Sequence, residues 1–138
     1  MNSIKVFSPA SVSNVCCGFD VLGFSIKGLG DEIVIQKSNS KGVKIKSVTG
    51  YEVPLDTNKN TASVAAKALL DYLNVKQGFD IEINKNIKPG SGIGSSAASA
   101  VGAVYGINKI LGSPLHRDDL LNFAMQGEFI SSDTAPAA

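Results

Sequence analysis

Between Lys88 and Ser99 the sequence runs Lys88-Pro89-Gly90-Ser91-Gly92-Ile93-Gly94-Ser95-Ser96-Ala97-Ala98-Ser99. Three glycines alternate with other residues, and two serines follow where a helix of small and apolar residues would begin. Glycine lets a backbone turn sharply and come close to a ligand. The first amides of a helix lack partners within it and carry partial positive charge. A glycine loop that opens into a helix N-terminus is therefore an anion site, best suited to phosphate. The same residues would also serve a helix that only packs tightly on a sheet, and spacing alone leaves both readings open. Two familiar phosphate loops are excluded. The Walker loop ends in Gly-Lys-Ser/Thr, whereas Gly94 is followed by Ser95. The dinucleotide fingerprint needs a third glycine three residues after the second, where this chain has Ser95.

Two acids stand out. Asp20 lies alone within Phe19-Asp20-Val21-Leu22-Gly23-Phe24, so it must be paired, exposed in a loop, or functional. Glu128 falls four residues after Ala124 and seven after Leu121, which puts it on the inward stripe of a helix. A carboxylate there is costly unless it is paired, metal-bound or beyond the core. The two cysteines, Cys16 and Cys17, are adjacent, and neighbours rarely bridge. The single histidine, His116, precedes a helix and has no second ligand at metal spacing, so it reads as a cap or surface residue.

The elements that must position these residues follow from periodicity. Ile4–Phe7 reads as a strand ended by Ser8-Pro9, and Ser11–Gly18 as a loop. Ile33–Ile35 is a strand core, Val43–Lys46 alternates, and Gly50–Lys59 is a loop. Asn60-Thr61 offers an N-cap to a helix whose apolar stripe is Ala62, Ala65, Ala66, Leu69, Leu70 and Leu73, ended by Gln77-Gly78. Phe79–Ile83 alternates strictly, as a half-buried strand does. The helix after the glycine loop, about Ser95 to Leu111, is apolar at Val101, Val104, Tyr105, Ile107 and Ile110, and is expected to be buried on several sides. Gly112-Ser113-Pro114 stops it. Asp118 and Asp119 favour the start of a last helix, with Leu120, Leu121 and Ala124 as its apolar stripe. This order predicts an α+β sandwich with helices on one side of a mainly antiparallel sheet.

The chain has 138 residues and a formal net charge of +1. The length suits one domain. The charge makes no electrostatic case for nucleic acid or a membrane surface. No run of about 18 apolar residues could span a bilayer. Ser8-Pro9 interrupts the apolar start, so no signal peptide is read, and the expected compartment is the cytoplasm.

Residues 89 to 98, Pro-Gly-Ser-Gly-Ile-Gly-Ser-Ser-Ala-Ala, resemble the phosphate-binding signature of the GHMP kinases. Pro9-Ala10-Ser11-Val12-Ser13-Asn14-Val15-Cys16-Cys17-Gly18-Phe19-Asp20-Val21-Leu22-Gly23 resembles the opening motif of the homoserine kinase branch. The resemblance covers residues 4 to about 132. It implies an α+β fold of the ribosomal protein S5 domain 2 type, and a single ATP-binding N-terminal domain over residues 1–138. It also implies transfer of the γ-phosphoryl of ATP, with Mg²⁺, to the side-chain hydroxyl of L-homoserine, on the way to threonine. Matched position by position, Lys88, Pro89, Gly90, Ser91, Gly92, Ile93, Gly94, Ser95, Ser96, Ala97 and Ala98 would form the ATP loop, with amides from Gly90 to Ser96 around the phosphates. Ser96 and Glu128 would hold Mg²⁺. Asp20 would pair with the substrate ammonium, and Asn14 would hydrogen-bond near the hydroxyl or the amino-acid group. Asn60 and Lys85 would border the adenosine, although by themselves they read as an N-cap and a surface lysine. No residue is an obvious general base. A homodimer is common in the family. Another small-alcohol kinase of the superfamily, for mevalonate or a diphosphocytidyl polyol, and a non-catalytic nucleotide-binding fragment are the alternatives.

The end departs from the family pattern. Homoserine kinases run to about twice this length, past the glutamate into a segment resembling His-Ala-Asp-Asn-Val-Ala-Pro. Here Asp133, Ala135 and Pro136 echo that segment only loosely, and no role passes to Thr134. The C-terminal GHMP domain is absent from these residues. The expectation is an N-terminal portion with an exposed apolar face and little kinase activity alone.

Overall fold

The structure is a computed structural model that describes the backbone of residues 1–12 and 24–134, with side chains described up to residue 128 except those of Val12 and Phe24. Asn14, Cys16, Cys17 and Asp20 lie outside the described residues. Four strands, β1 (Ser3–Val12), β2 (Phe24–Ser38), β3 (Val43–Gly50) and β4 (Gly78–Lys85), and three helices, α1 (Thr61–Leu73), α2 (Ser95–Ile110) and α3 (Arg117–Thr134), form an α+β sandwich. The sheet order is β1-β2-β4-β3. β1 with β2 and β2 with β4 are antiparallel, and β3 with β4 is parallel.

Alternation decides which face is covered. In β4, Phe79, Ile81, Ile83 and Lys85 are buried, while Asp80, Glu82 and Asn84 between them are half-exposed. The buried face meets the helices in one core that joins Ile33, Ile35, Ile45, Ile81 and Ile83 to Leu69, Val104, Ile107, Leu120 and Phe123. The other face is mostly polar, with Phe7 and Val34 among its residues, and carries the exposed pairs Lys5–Glu32 at 3.0 Å and Lys46–Glu82 at 4.0 Å. In β3 a register shift between Ile45 and Ser47 turns Val48 back to the core side, opposite Ile83.

Several boundaries differ from the sequence expectation. β1 does not end at Ser8-Pro9 but runs on to Val12. Proline is tolerated there because β1 is an edge strand and its register shifts between Pro9 and Ser11. α1 ends at Asn74, not at Gln77-Gly78. Asn74 takes a left-handed conformation (φ 54°) and its amide reaches the carbonyls of Leu70 and Asp71. His116 caps α3, its Nδ1 accepting from the Asp118 amide at 3.3 Å.

α2 is buried around most of its circumference, but Val101 and Tyr105 are exposed. Leu121 is likewise exposed, and the inward stripe of α3 is Leu120, Phe123, Ala124 and Gly127, with Glu128 next in phase. Val101, Tyr105 and Leu121 line one open apolar groove between α2 and α3, and Met125, one turn on from Leu121, is also exposed.

Close approach sets the helix positions. A Cβ on Gly102 would lie 2.8 Å from Ile33, and one on Gly106 would lie 2.4 Å from Ile35, so α2 rests directly on β2. On Gly127 it would lie 2.5 Å from the Thr61 carbonyl oxygen and 3.2 Å from the Cβ atoms of Ala65 and Ala100. All three helices therefore meet at Gly127. Helix propensity alone favours alanine over glycine by about 1 kcal/mol. Overpacking costs about 1–3 kcal/mol, and the backbone oxygen of α1 cannot swing away. The net loss is at most about 2 kcal/mol, and because that oxygen is fixed Gly127→Ala is expected to lower the unfolding free energy by about 1–2 kcal/mol in urea titration; a more stable variant would contradict this packing.

Candidate functional site: a glycine loop between two helix starts

The site is built on a polar rung at the end of an apolar ladder. On the covered face of the sheet Ile35 lies opposite Ile81, and Ile33 opposite Ile83. Asp31 and Lys85 occupy the next inward positions, both fully buried. The Lys85 ammonium donates to Asp31 Oδ2, to the Ser95 carbonyl at 2.5 Å and to Ser99 Oγ at 3.0 Å. The other carboxylate oxygen of Asp31 accepts from the amides of Asn86 (2.8 Å) and Ile87 (2.9 Å). Burial pushes the Lys85 ammonium below the usual lysine range, against the opposing pull of Asp31 and the smaller one of Glu128.

These contacts fix both ends of the glycine loop. Ser95 Oγ donates to the Ile87 carbonyl at 2.9 Å and closes the neck of the loop between them. Gly90, Gly92 and Gly94 all have positive φ, between 77° and 80°, a region that side chains other than glycine's resist. At Gly94 space is also short, because a Cβ would lie 2.5 Å from Ser11 Oγ. The Ser11 amide donates to the Ile93 carbonyl at 2.9 Å, so the end of β1 is docked on the loop. The first helical bond of α2 runs from the Ala98 amide to the Gly94 carbonyl, and the helix has no side-chain cap. The amides of Ser95, Ser96 and Ala97, in its first turn, have no acceptor within the helix.

The loop faces a cleft of about 660 Å³ lined by Val53, Pro54, Lys59, Asn60, Thr61 and Lys85 together with Pro89, Gly90, Gly92, Gly94, Ser95, Ser96 and Ser99. The starts of α1 and α2 both border it, and Thr61 Oγ1 donates to the Ser96 carbonyl at 3.3 Å. Two positive helix ends and Lys59 suit an anion. Ser96 Oγ donates to Glu128 Oε2 at 3.1 Å, while the other carboxylate oxygen, Oε1, is buried without a hydrogen-bond partner among the described residues. Hydroxyl and carboxylate oxygens are the ligands that Mg²⁺ takes, usually one or two from the protein with the rest from phosphates and water. The pair fits such an ion, and no cluster of three or more acidic, histidine or cysteine ligands occurs among the described residues.

The sequence-predicted residues divide. Asn60, Lys85, Pro89, Gly90, Gly92, Gly94, Ser95 and Ser96 line the cleft, whereas Lys88, Ser91, Ile93, Ala97 and Ala98 do not. Ala98 is buried in a small cluster with Ala10 and Ile87, and its carbonyl accepts from Ser8 Oγ at 2.7 Å. Asn60 is buried, and both ends of its amide are engaged. It caps α1 through Ala62 N (2.9 Å) and donates to the Pro54 carbonyl (2.7 Å). Lys85 is not a surface lysine. Its partner Asp31 escaped the sequence reading, although both continue the inward phase of their strands, Asp31 with Ile33 and Ile35, Lys85 with Ile81 and Ile83. Removing one member of such a pair costs about 3–5 kcal/mol, against less than about 1 kcal/mol for an exposed pair. Denaturant titration is expected to separate Asp31→Ala from Lys5→Ala by that margin, and equal losses would mean that the buried pair anchors nothing.

The model of the GHMP kinases N terminal domain matches residues 60–138. A homoserine kinase of Chlorobium phaeobacteroides (strain BS1) is 38% identical over 149 residues, which cover 99% of this chain and 47% of that protein. One from Xanthomonas campestris pv. campestris (strain B100) is 38% identical over 134 residues, 96% of this chain and 42% of its own. The crystal structure of homoserine kinase from Cytophaga hutchinsonii superposes with a TM-score of 0.92 at 50% identity, covering 98% of this chain and 44% of that one. Mevalonate kinase of Methanococcus jannaschii superposes with a TM-score of 0.64 at 20% identity, a likeness of fold alone. The chain spans about half the length of the curated relatives it matches. With the family model matched over more than half its length and the glycine loop and both helix starts inside that match, the chain belongs to the GHMP kinases.

Proposed function

We propose that these residues form the ATP-binding part of a homoserine kinase, a cytoplasmic enzyme that phosphorylates the side-chain hydroxyl of L-homoserine. The observation that carries the nucleotide half of this reading is the Ser96–Glu128 contact, with its unpartnered carboxylate oxygen, beside a glycine loop that opens into α2. Identity of 38% and 50% to homoserine kinases supports the acceptor half. The amides of the glycine loop and of the first turn of α2 receive the phosphates. Val53 and Pro54 offer an apolar wall for the base. Ser96 and Glu128 hold Mg²⁺, which when bound neutralises charge on the phosphates. Asn14 and Asp20 grip the amino acid, and the strand that leads toward them is docked on the loop at Ser11.

Phosphoryl transfer depends on positioning and charge neutralisation more than on covalent chemistry. This chain supplies fixed N–H dipoles for the second task and the substrate grip for the first. Asp20 acts in this reading as a binder of the ammonium, not as a base.

The reading predicts Mg²⁺-dependent ATP binding by the 138-residue chain, with transfer to homoserine well below the rate of a full-length relative. Glu128→Gln is expected to weaken binding about tenfold or more in Mg²⁺ and much less in its absence. Titration calorimetry with and without Mg²⁺ reads the difference. Phosphorylation assays against homoserine, mevalonate and galactose read the acceptor, and preference for either of the last two would overturn the homoserine assignment.

A further inference from the structure

We propose that Lys85 and Asp31 are positioning residues for the nucleotide: they hold the glycine loop and the first turn of α2 in the shape that receives phosphate, and neither touches the nucleotide itself. The inference rests on the reading of the cleft as an ATP site. It reverses the expectation that Lys85 borders the adenosine as a ligand.

The geometry supports it by saturation. A lysine ammonium has three protons and no acceptor. Three acceptors surround Lys85 Nζ: Asp31 Oδ2, the Ser95 carbonyl and Ser99 Oγ. A phosphate oxygen could gain a proton from Lys85 only by displacing one of these buried partners. Asp31 is equally committed, with one oxygen on the ammonium and the other on two consecutive amides at the entrance of the loop. The two residues therefore span the loop, Asp31 holding Asn86 and Ile87 on its incoming side and Lys85 holding Ser95 and Ser99 on its outgoing side. Between these anchors the remaining loop is shaped by glycines at positive φ. Gly90 and Gly92 have nothing within 4 Å of a notional Cβ. Packing at those two positions therefore does not hold the loop, which between its anchored ends is held by the Ser91 amide on the Lys88 carbonyl and the Ser11 amide on the Ile93 carbonyl.

A residue that acts this way changes the recognition of phosphate and leaves the base site alone. The test compares trinitrophenyl-ATP with trinitrophenyl-adenosine, which lacks phosphates, by fluorescence titration of the purified chain in Mg²⁺. Each variant is used at a temperature where circular dichroism shows it folded. Lys85→Met is expected to lose about tenfold or more in affinity for the triphosphate, with the adenosine probe within about twofold of wild type. Ser99→Ala keeps the ion pair and removes one acceptor, so it is expected to lose about fivefold for the triphosphate alone. It also serves as the decisive variant if Lys85→Met does not fold. Equal loss for both probes would mean a merely structural role, and no loss for either would mean that the loop keeps its shape without the clamp. Both results overturn the inference. Failure of the wild-type chain to bind the triphosphate probe would instead overturn the ATP reading beneath it.

Discussion

A charge pair out of reach of water governs this domain. Taking a carboxylate and an ammonium into the interior costs several kcal/mol per ion unless each finds partners. Here every partner lies on the loop, its helix or the strands that lead to it. Apolar replacements of similar size can match or exceed the stability of such pairs. Methionine or leucine at these positions would, however, leave the amides of Asn86 and Ile87 without their acceptor and take from the Ser99 hydroxyl the donor it accepts from. The pair makes sense as a device of geometry, and burial against the helices makes that geometry rigid.

Small residues complete the arrangement. Gly102 and Gly106 let α2 lie on Ile33 and Ile35, and Gly127 lets α3 touch the first turn of α1. These approaches bring Glu128 to Ser96 across two helices. The strand β2 thus acts twice, once through the apolar contacts under the middle of α2 and once through Asp31 at its start.

Local features were legible in the sequence. The glycine loop, the N-cap at Asn60, the body of α2 and the odd position of Glu128 all follow from short-range spacing, and all stand in the structure. What depends on distant partners was not legible. Lys85 reads as a surface lysine until β2 brings Asp31 against it from 54 residues away. Strand phase carried a signal, since both residues fall in step with buried isoleucines, but a charge in that phase argues against a strand as much as for a pair. Leu121 and Val101 look like core by composition, and only the packing of three helices decides that they face outward. Pro9 reads as a strand end because its missing N–H matters everywhere except on an edge. Residues 13–23, Asn14 and Asp20 among them, lie outside the described residues.

The separation of 54 residues between Asp31 and Lys85 has a kinetic meaning. A helix can nucleate from its own residues, but this loop borrows its shape from a contact that exists only after β2 and β4 have found their register. The entropy of closing that long stretch must be met before the clamp can form. The glycine loop is therefore among the later parts to take form during folding, and the same segment cut out as a peptide would keep its sequence but not its site.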